Sequence, residues 1–206
     1  MTVSKENATE KIILEAALKV FTEKGFAAAR TEEIAREAGI NRALLHYYFR
    51  DKETIFDLIF GTQFKAFFSG IQTIMRSDAS LFEKIEKMVA HEIGTFQEHP
   101  HLARFIIVEI ARQPERLLAF SKQLQINPRE ILTLFEKQVR TEIEKGVIIE
   151  IEGKQLLMNI MSLCIYPFVA RPIIKTMMQF DEKEMQLIME QRKQEVVRFI
   201  VKAIKK

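Results

Sequence analysis

Few residue types that make or break bonds occur in arrangements where they could act. The chain has four His and one Cys. His99 and His101 flank Pro100 without companions, so no metal site is expected from them. Cys164 falls in the most apolar stretch, where a thiol is inert. No P-loop, GxGxxG, HExxH or Cys-His cluster occurs, and no acid and base have diagnostic spacing, so neither an enzyme nor a cofactor is expected. What stands out is binding chemistry: in TEEIAREAGINRALLHYYF, two of the three tyrosines, Tyr47 and Tyr48, lie side by side next to His46 and close to Arg42. Rings with hydrogen-bonding edges beside a cation suit recognition rather than catalysis.

Composition limits what can position these groups. The 206 residues are 48% hydrophobic and 29% charged, a globular balance, and with Gly at 7 and Pro at 5 helix breakers are scarce, which points to an all-α fold. A single cysteine fits a reducing compartment. The N-terminus lacks an apolar core of signal-peptide length. The run Leu156–Ala170, interrupted by Asn159, Ser162 and Pro167, falls short of the roughly 20 residues a bilayer requires. A cytoplasmic protein is expected. The net charge is +3, and residues 1–60 hold nine Lys/Arg against ten Asp/Glu, so bulk charge gives no argument for nucleic acid.

The elements follow from caps and periodicity. Asn7 and Glu10 have capping-box spacing. Beyond them Ile12, Ile13, Ala16, Ala17, Val20 and Phe21 form a helical apolar stripe ending at Gly25. Thr31 is the expected N-cap of a second helix, buried through Ile34, Ala35 and Ala38, and Gly39 permits the turn after it. Asn41 caps a third, with Leu44, Leu45 and Phe49 on its apolar side and Arg42, Ala43, His46 and Tyr47 elsewhere. Two short helices joined by a tight glycine turn make a helix-turn-helix.

Between about Ala8 and Phe60 this pattern resembles the DNA-binding domain of the tetracycline-repressor (TetR) family: a first helix ending in FTEKGF, then T-x-x-I-A-x-x-A-G-I, then a recognition helix running into YYF and D-K-E. The resemblance implies that Arg42 and Ala43, following the cap Asn41, face base edges, His46 and Tyr47 meet bases and backbone, and Tyr48 meets phosphate. Thr31 and Lys52 would clamp flanking phosphates from helix N-termini. Tyr48 has an alternative, packing on the first helix; Thr31 is a cap in either case.

Nine helices are expected in all: the head over 1–50 and a larger helical bundle over 51–206. Asp51 opens a long helix carrying Phe56, Ile59, Phe60, Phe64, Phe67, Phe68, Ile71 and Ile74. Further helices are expected over Leu81–Gln97, His101–Arg112, from Asn127-Pro128 with Glu130 as capping acid to Gly146, and over Leu156–Ala170, apolar nearly all round, enclosed and kinked by Pro167. The last, Met185–Ile204, opens at Asp181 and Glu184 and has Ile188 and Phe199 on its apolar side.

By resemblance, the last two helices pair with their copies in a homodimer, and the body holds a small apolar ligand. Candidate wall residues are Phe64, Phe68, Met88, His91, Phe96, Phe105, Glu109, Met158, Met161, Cys164 and Tyr166, each with ordinary core packing as its alternative; Glu109 and His91 stand out as polar groups in apolar stretches. The function implied is a homodimeric regulator, a repressor released by its ligand from a pseudo-palindromic double-stranded operator. The alternative keeps the DNA-binding dimer and makes its body a protein-interaction platform.

Overall fold

A computed structural model describes the backbone of residues 2–111 and 114–206, with side chains throughout those ranges except at residues 2–6, 105, 109 and 116. The chain folds as two compact units, Met1–Phe64 and Lys65–Lys206.

The first unit contains α1 (Thr2–Lys24), α2 (Thr31–Glu37), α3 (Arg42–Tyr48) and the start of α4 (Lys52–Arg76). Helix α1 begins five residues before the expected cap: Asn7 lies inside it, exposed, because nothing in residues 2–6 breaks a helix and an interior Asn costs only about 0.5 kcal/mol. Ile13, Ala16, Ala17, Val20 and Phe21 are buried, whereas Ile12, at the edge of the stripe, is 48% exposed. Phe21 meets Phe56 edge-on at 5.3 Å, and Phe26 lies 4.3 Å from the same ring.

The N-cap of α2 is Arg30, whose backbone is extended, so Thr31 is the first helical residue and the expected cap lies one position earlier. The Arg30 amide donates to the Glu33 carboxylate at 3.3 Å. Gly39 takes φ +68° at the turn. Asn41 caps α3 as expected, its Oδ1 accepting from the Leu44 amide at 2.8 Å. Leu45 and Phe49 anchor that helix in the core, but Leu44, expected beside them, is 37% exposed. Asp51 caps α4, accepting from the Thr54 amide and hydroxyl at 2.8 and 2.7 Å, bonds that hold its carboxyl below the usual range.

The second unit is built on α5 (Leu81–Glu98), which packs against α6 (Pro100–Arg104), α8 (Pro128–Glu144), α9 (Gly153–Val169) and α11 (Glu182–Ile204). Ser80 and Glu83 cap α5 reciprocally, as Asp181 and Glu184 cap α11. Asn127 caps α8, but Glu130 departs from the expected capping role: its carboxylate accepts two bonds from Arg76, at 2.8 and 2.9 Å.

Eleven α-helices are present among the described residues, against the nine expected. The segment expected as one helix from His101 is α6 followed by a π-helical segment, Phe105–Ile110. The unexpected helices are α7 (Pro114–Gln123) and α10 (Arg171–Met178). Helix α10 escapes a reading based on burial because Ile173, Met177 and Met178 are 58–79% exposed. The kink expected at Pro167 falls after it: α9 runs unbroken to Val169, and α10 leaves at 72°.

Nor is α9 enclosed on all sides. Leu156, Ile160, Cys164 and Pro167 form its buried stripe, while Met158, Met161 and Tyr166 are about half exposed or more. On α11, Met185, Met189, Val196, Ile200 and Ile204 are buried, whereas Ile188 and Phe199 are 37% and 65% exposed.

Candidate nucleic-acid interface and body cavity

Helix α3 presents one outward surface. Leu45 and Phe49 fix it to the core, which leaves Arg42, Ala43, His46 and Tyr47 exposed, Tyr47 at 74%. Tyr48 is half-buried, its ring edge-on to Tyr47 at 5.4 Å.

The polar groups here are already linked. Arg42 Nη1 is 2.7 Å from Glu32 Oε1, and Arg42 Nε donates to His46 Nε2 at 3.3 Å. His46 Nδ1 lies 3.1 Å from the Arg50 carbonyl, which only accepts. The ring is therefore the neutral Nδ1–H tautomer, an acceptor toward Arg42 and a donor toward the end of its own helix. The chain thus holds the guanidinium in a defined position between a carboxylate and an imidazole.

Lys52 occupies a different place from the open phosphate clamp expected. Its ammonium donates to the carbonyls of Phe26 and Ala29 at 3.0 and 3.1 Å, approaches that of Ala27 at 3.4 Å, and sits 4.6 Å above the Phe26 ring. It ties the α1–α2 connection to the start of α4. Thr31, half-buried, begins α2.

In the second unit, a cavity of about 250 Å³ is lined by Phe67 and Phe68 of α4, Glu92 and Phe96 of α5, Ile106 and Ile107 of the π-helical segment, and Met158, Met161, Ser162 and Ile165 of α9. Of the expected wall residues, Phe68, Phe96, Met158 and Met161 meet there. Cys164 is buried just behind, hydrogen-bonded to Glu92. Phe64 belongs to the other unit, Met88 is ordinary core, and Tyr166, 60% exposed, lines no part of this cavity. The side chains of Phe105 and Glu109 lie outside the described residues. His91 has a structural bond: its Nε2 donates to the Phe67 carbonyl at 2.9 Å, its ring stacks on Phe67, and Gly70 leaves room for it.

Glu92, absent from the expected residues, is the ionisable group of that wall among the described residues. It is 4% exposed, and burial raises its carboxyl to about 7, partly offset by the hydrogen bond from Cys164. Burial and the adjacent Glu92 push the Cys164 thiol up in turn. The signal was legible: Met88, Glu92 and Phe96 succeed one another at i, i+4 along the buried face of α5.

The first unit is a helix-turn-helix with an open recognition helix. Residues 13–59 match the family model for bacterial regulatory proteins, tetR family. The HTH-type transcriptional regulator YhgD of Bacillus subtilis is 27% identical over 124 residues, 55% of this chain and 65% of that protein. The HTH-type transcriptional repressor NicS of Pseudomonas putida is 30% identical over 106 residues, 51% of this chain and 50% of that one. The chain thus spans about half to two thirds of the length of the curated relatives it matches. In fold, it resembles the ketosteroid transcriptional regulator KstR2 of Mycobacterium tuberculosis, with a TM-score of 0.71 at 17% identity, covering 96% of this chain and 95% of that one. The first unit thus carries the helix-turn-helix of the tetR family of bacterial regulatory proteins.

Among the described residues no single helix is long and apolar enough to cross a membrane.

Proposed function

We propose that the protein is a homodimeric DNA-binding transcriptional repressor, released from a pseudo-palindromic operator by a small apolar ligand held in its second unit. The observation that carries this reading is the outward surface of α3, where Arg42, Ala43, His46 and Tyr47 stand exposed on a helix locked from beneath by Leu45 and Phe49. In the major groove, such a helix offers a guanidinium for guanine edges and a phenol for phosphate or a thymine methyl. Tyr48 lies beside it for backbone contact, and the starts of α2, at Thr31, and α4 supply backbone amides to flanking phosphates.

Dimerisation through α9 to α11 is supported by apolar residues exposed there, among them Met177, Leu187 and Phe199. Paired copies would place two recognition helices roughly 34 Å apart, one helical turn of DNA. The cavity with its buried carboxyl at Glu92 favours a small ligand over the protein-interaction platform, which would suit a solid body. A ligand preferring one spacing of the two recognition helices would shift the dimer away from DNA.

The test is fluorescence anisotropy on a duplex selected from a random library. Tyr47→Ala and Arg42→Ala are each expected to weaken binding by about 1–3 kcal/mol, with helical content and melting unchanged. Wild-type affinity in both variants would remove α3 as the reading head.

A further inference from the structure

Glu92 is unusual chemically as well as in position. It is a carboxyl at 4% exposure in the wall of an apolar cavity, and its described partner is a neutral thiol, that of Cys164. Among the described residues no ion pair reaches it. The nearby cation on α11, Arg192, is directed instead to the Leu163 carbonyl, at 3.0 Å from Nη2. A buried acid with no counter-charge is costly in an empty site and becomes a recognition element when a ligand brings the missing charge.

We propose that this cavity takes an apolar monoamine, its ammonium seated on the Glu92 carboxylate and its hydrocarbon part among Phe67, Phe68, Phe96, Ile107, Met158 and Met161. The assignment rests on the reading of the second unit as a ligand-binding body, and it names the ligand's class. At about 250 Å³ the cavity holds roughly eight non-hydrogen atoms at about 30 Å³ each, a short chain or a single ring system. An ammonium supplies donors to both carboxylate oxygens and opposite charge in a low-dielectric wall. An alcohol of equal length offers one donor and no opposite charge. A carboxylate of equal length meets a like charge or must itself take a proton.

The test uses three probes of matched chain, n-octylamine, 1-octanol and octanoate, titrated calorimetrically into the full-length protein, its Glu92→Gln variant and its Met161→Trp variant. Octylamine is expected to bind wild type at least tenfold more tightly than either of the others. Glu92→Gln should weaken octylamine tenfold or more and change octanol less than threefold; Met161→Trp, which narrows the cavity, should weaken all three probes. The proposal is overturned if octanol or octanoate matches octylamine, if Glu92→Gln leaves octylamine unchanged, if Met161→Trp changes nothing, or if no probe binds.

DNA anisotropy with the same probes separates the ligand class from the release mechanism. Glu92-dependent amine binding without DNA release keeps the ligand class and ends the release reading. Release by octanoate does the reverse.

Discussion

On the proposed reading, Arg42 is held in place before its target arrives. Its guanidinium is neutralised by Glu32 and oriented by His46, so a base contact must first displace the carboxylate. The pair is exposed, and its own contribution to stability is small. Its larger effect is on binding: Glu32→Gln is expected to raise DNA affinity about three- to tenfold at low salt by removing a competing acceptor and a negative charge near phosphate. Anisotropy across a salt series checks this. Unchanged affinity would show that Arg42 does not leave Glu32 on DNA.

Glu92 makes a prediction about stability. Its carboxyl rises from 4.5 to about 7 on folding, so between those values the folded chain binds more protons than the unfolded one. Stability therefore falls as pH rises through that window and stays lower above it, by about 3 kcal/mol at full effect. Glu92→Gln carries no such titration. The variant is expected to gain on wild type in urea unfolding as pH goes from 5 to 8, and parallel profiles would contradict the burial argument.

Among the elements, connections depend on a few side chains. Lys52 satisfies carbonyls of the α1–α2 connection and lies over Phe26. Lys52→Met is expected to lower the stability of the first unit by about 1–3 kcal/mol, because it strands acceptors that the ammonium satisfied. Its loss of DNA binding should then follow the loss of fold, measured by melting at rising temperature, rather than appear in a fully folded protein.

Helices α4 and α5 depend on a missing side chain. A Cβ at Gly70 would stand 2.3 Å from the His91 ring. Gly70→Ala is therefore expected to eject the imidazole from its bond to Phe67 and cost about 1–3 kcal/mol despite the better helix propensity of alanine. An unchanged melting temperature would mean that the ring moves freely.

For the whole molecule, the apolar side chains exposed on α9, α10 and α11 support the proposed second copy. Phe199→Glu is expected to shift the protein to monomer in analytical ultracentrifugation and to weaken operator binding by at least tenfold, since one head alone forfeits the linked second contact. A variant that remains dimeric would move the interface away from α11.

What the sequence alone determined was local: the glycine turn at Gly39, the caps at Asn41, Asp51, Asn127 and Asp181, and the helix-turn-helix with Arg42 and Tyr47 on its open side. These depend on residues three or four positions apart, and such spacing is written in the chain. Tertiary structure decided the rest. That Lys52 serves carbonyls 23 to 26 residues earlier, that Glu130 turns to Arg76 instead of its cap, and that Glu92 rather than His91 lines a cavity with Met158 and Met161 all depend on partners distant in sequence. Half of α9 faces outward for the same reason: periodicity identifies an apolar side chain, but only the packed neighbours determine whether that chain, a ligand or a second copy covers it.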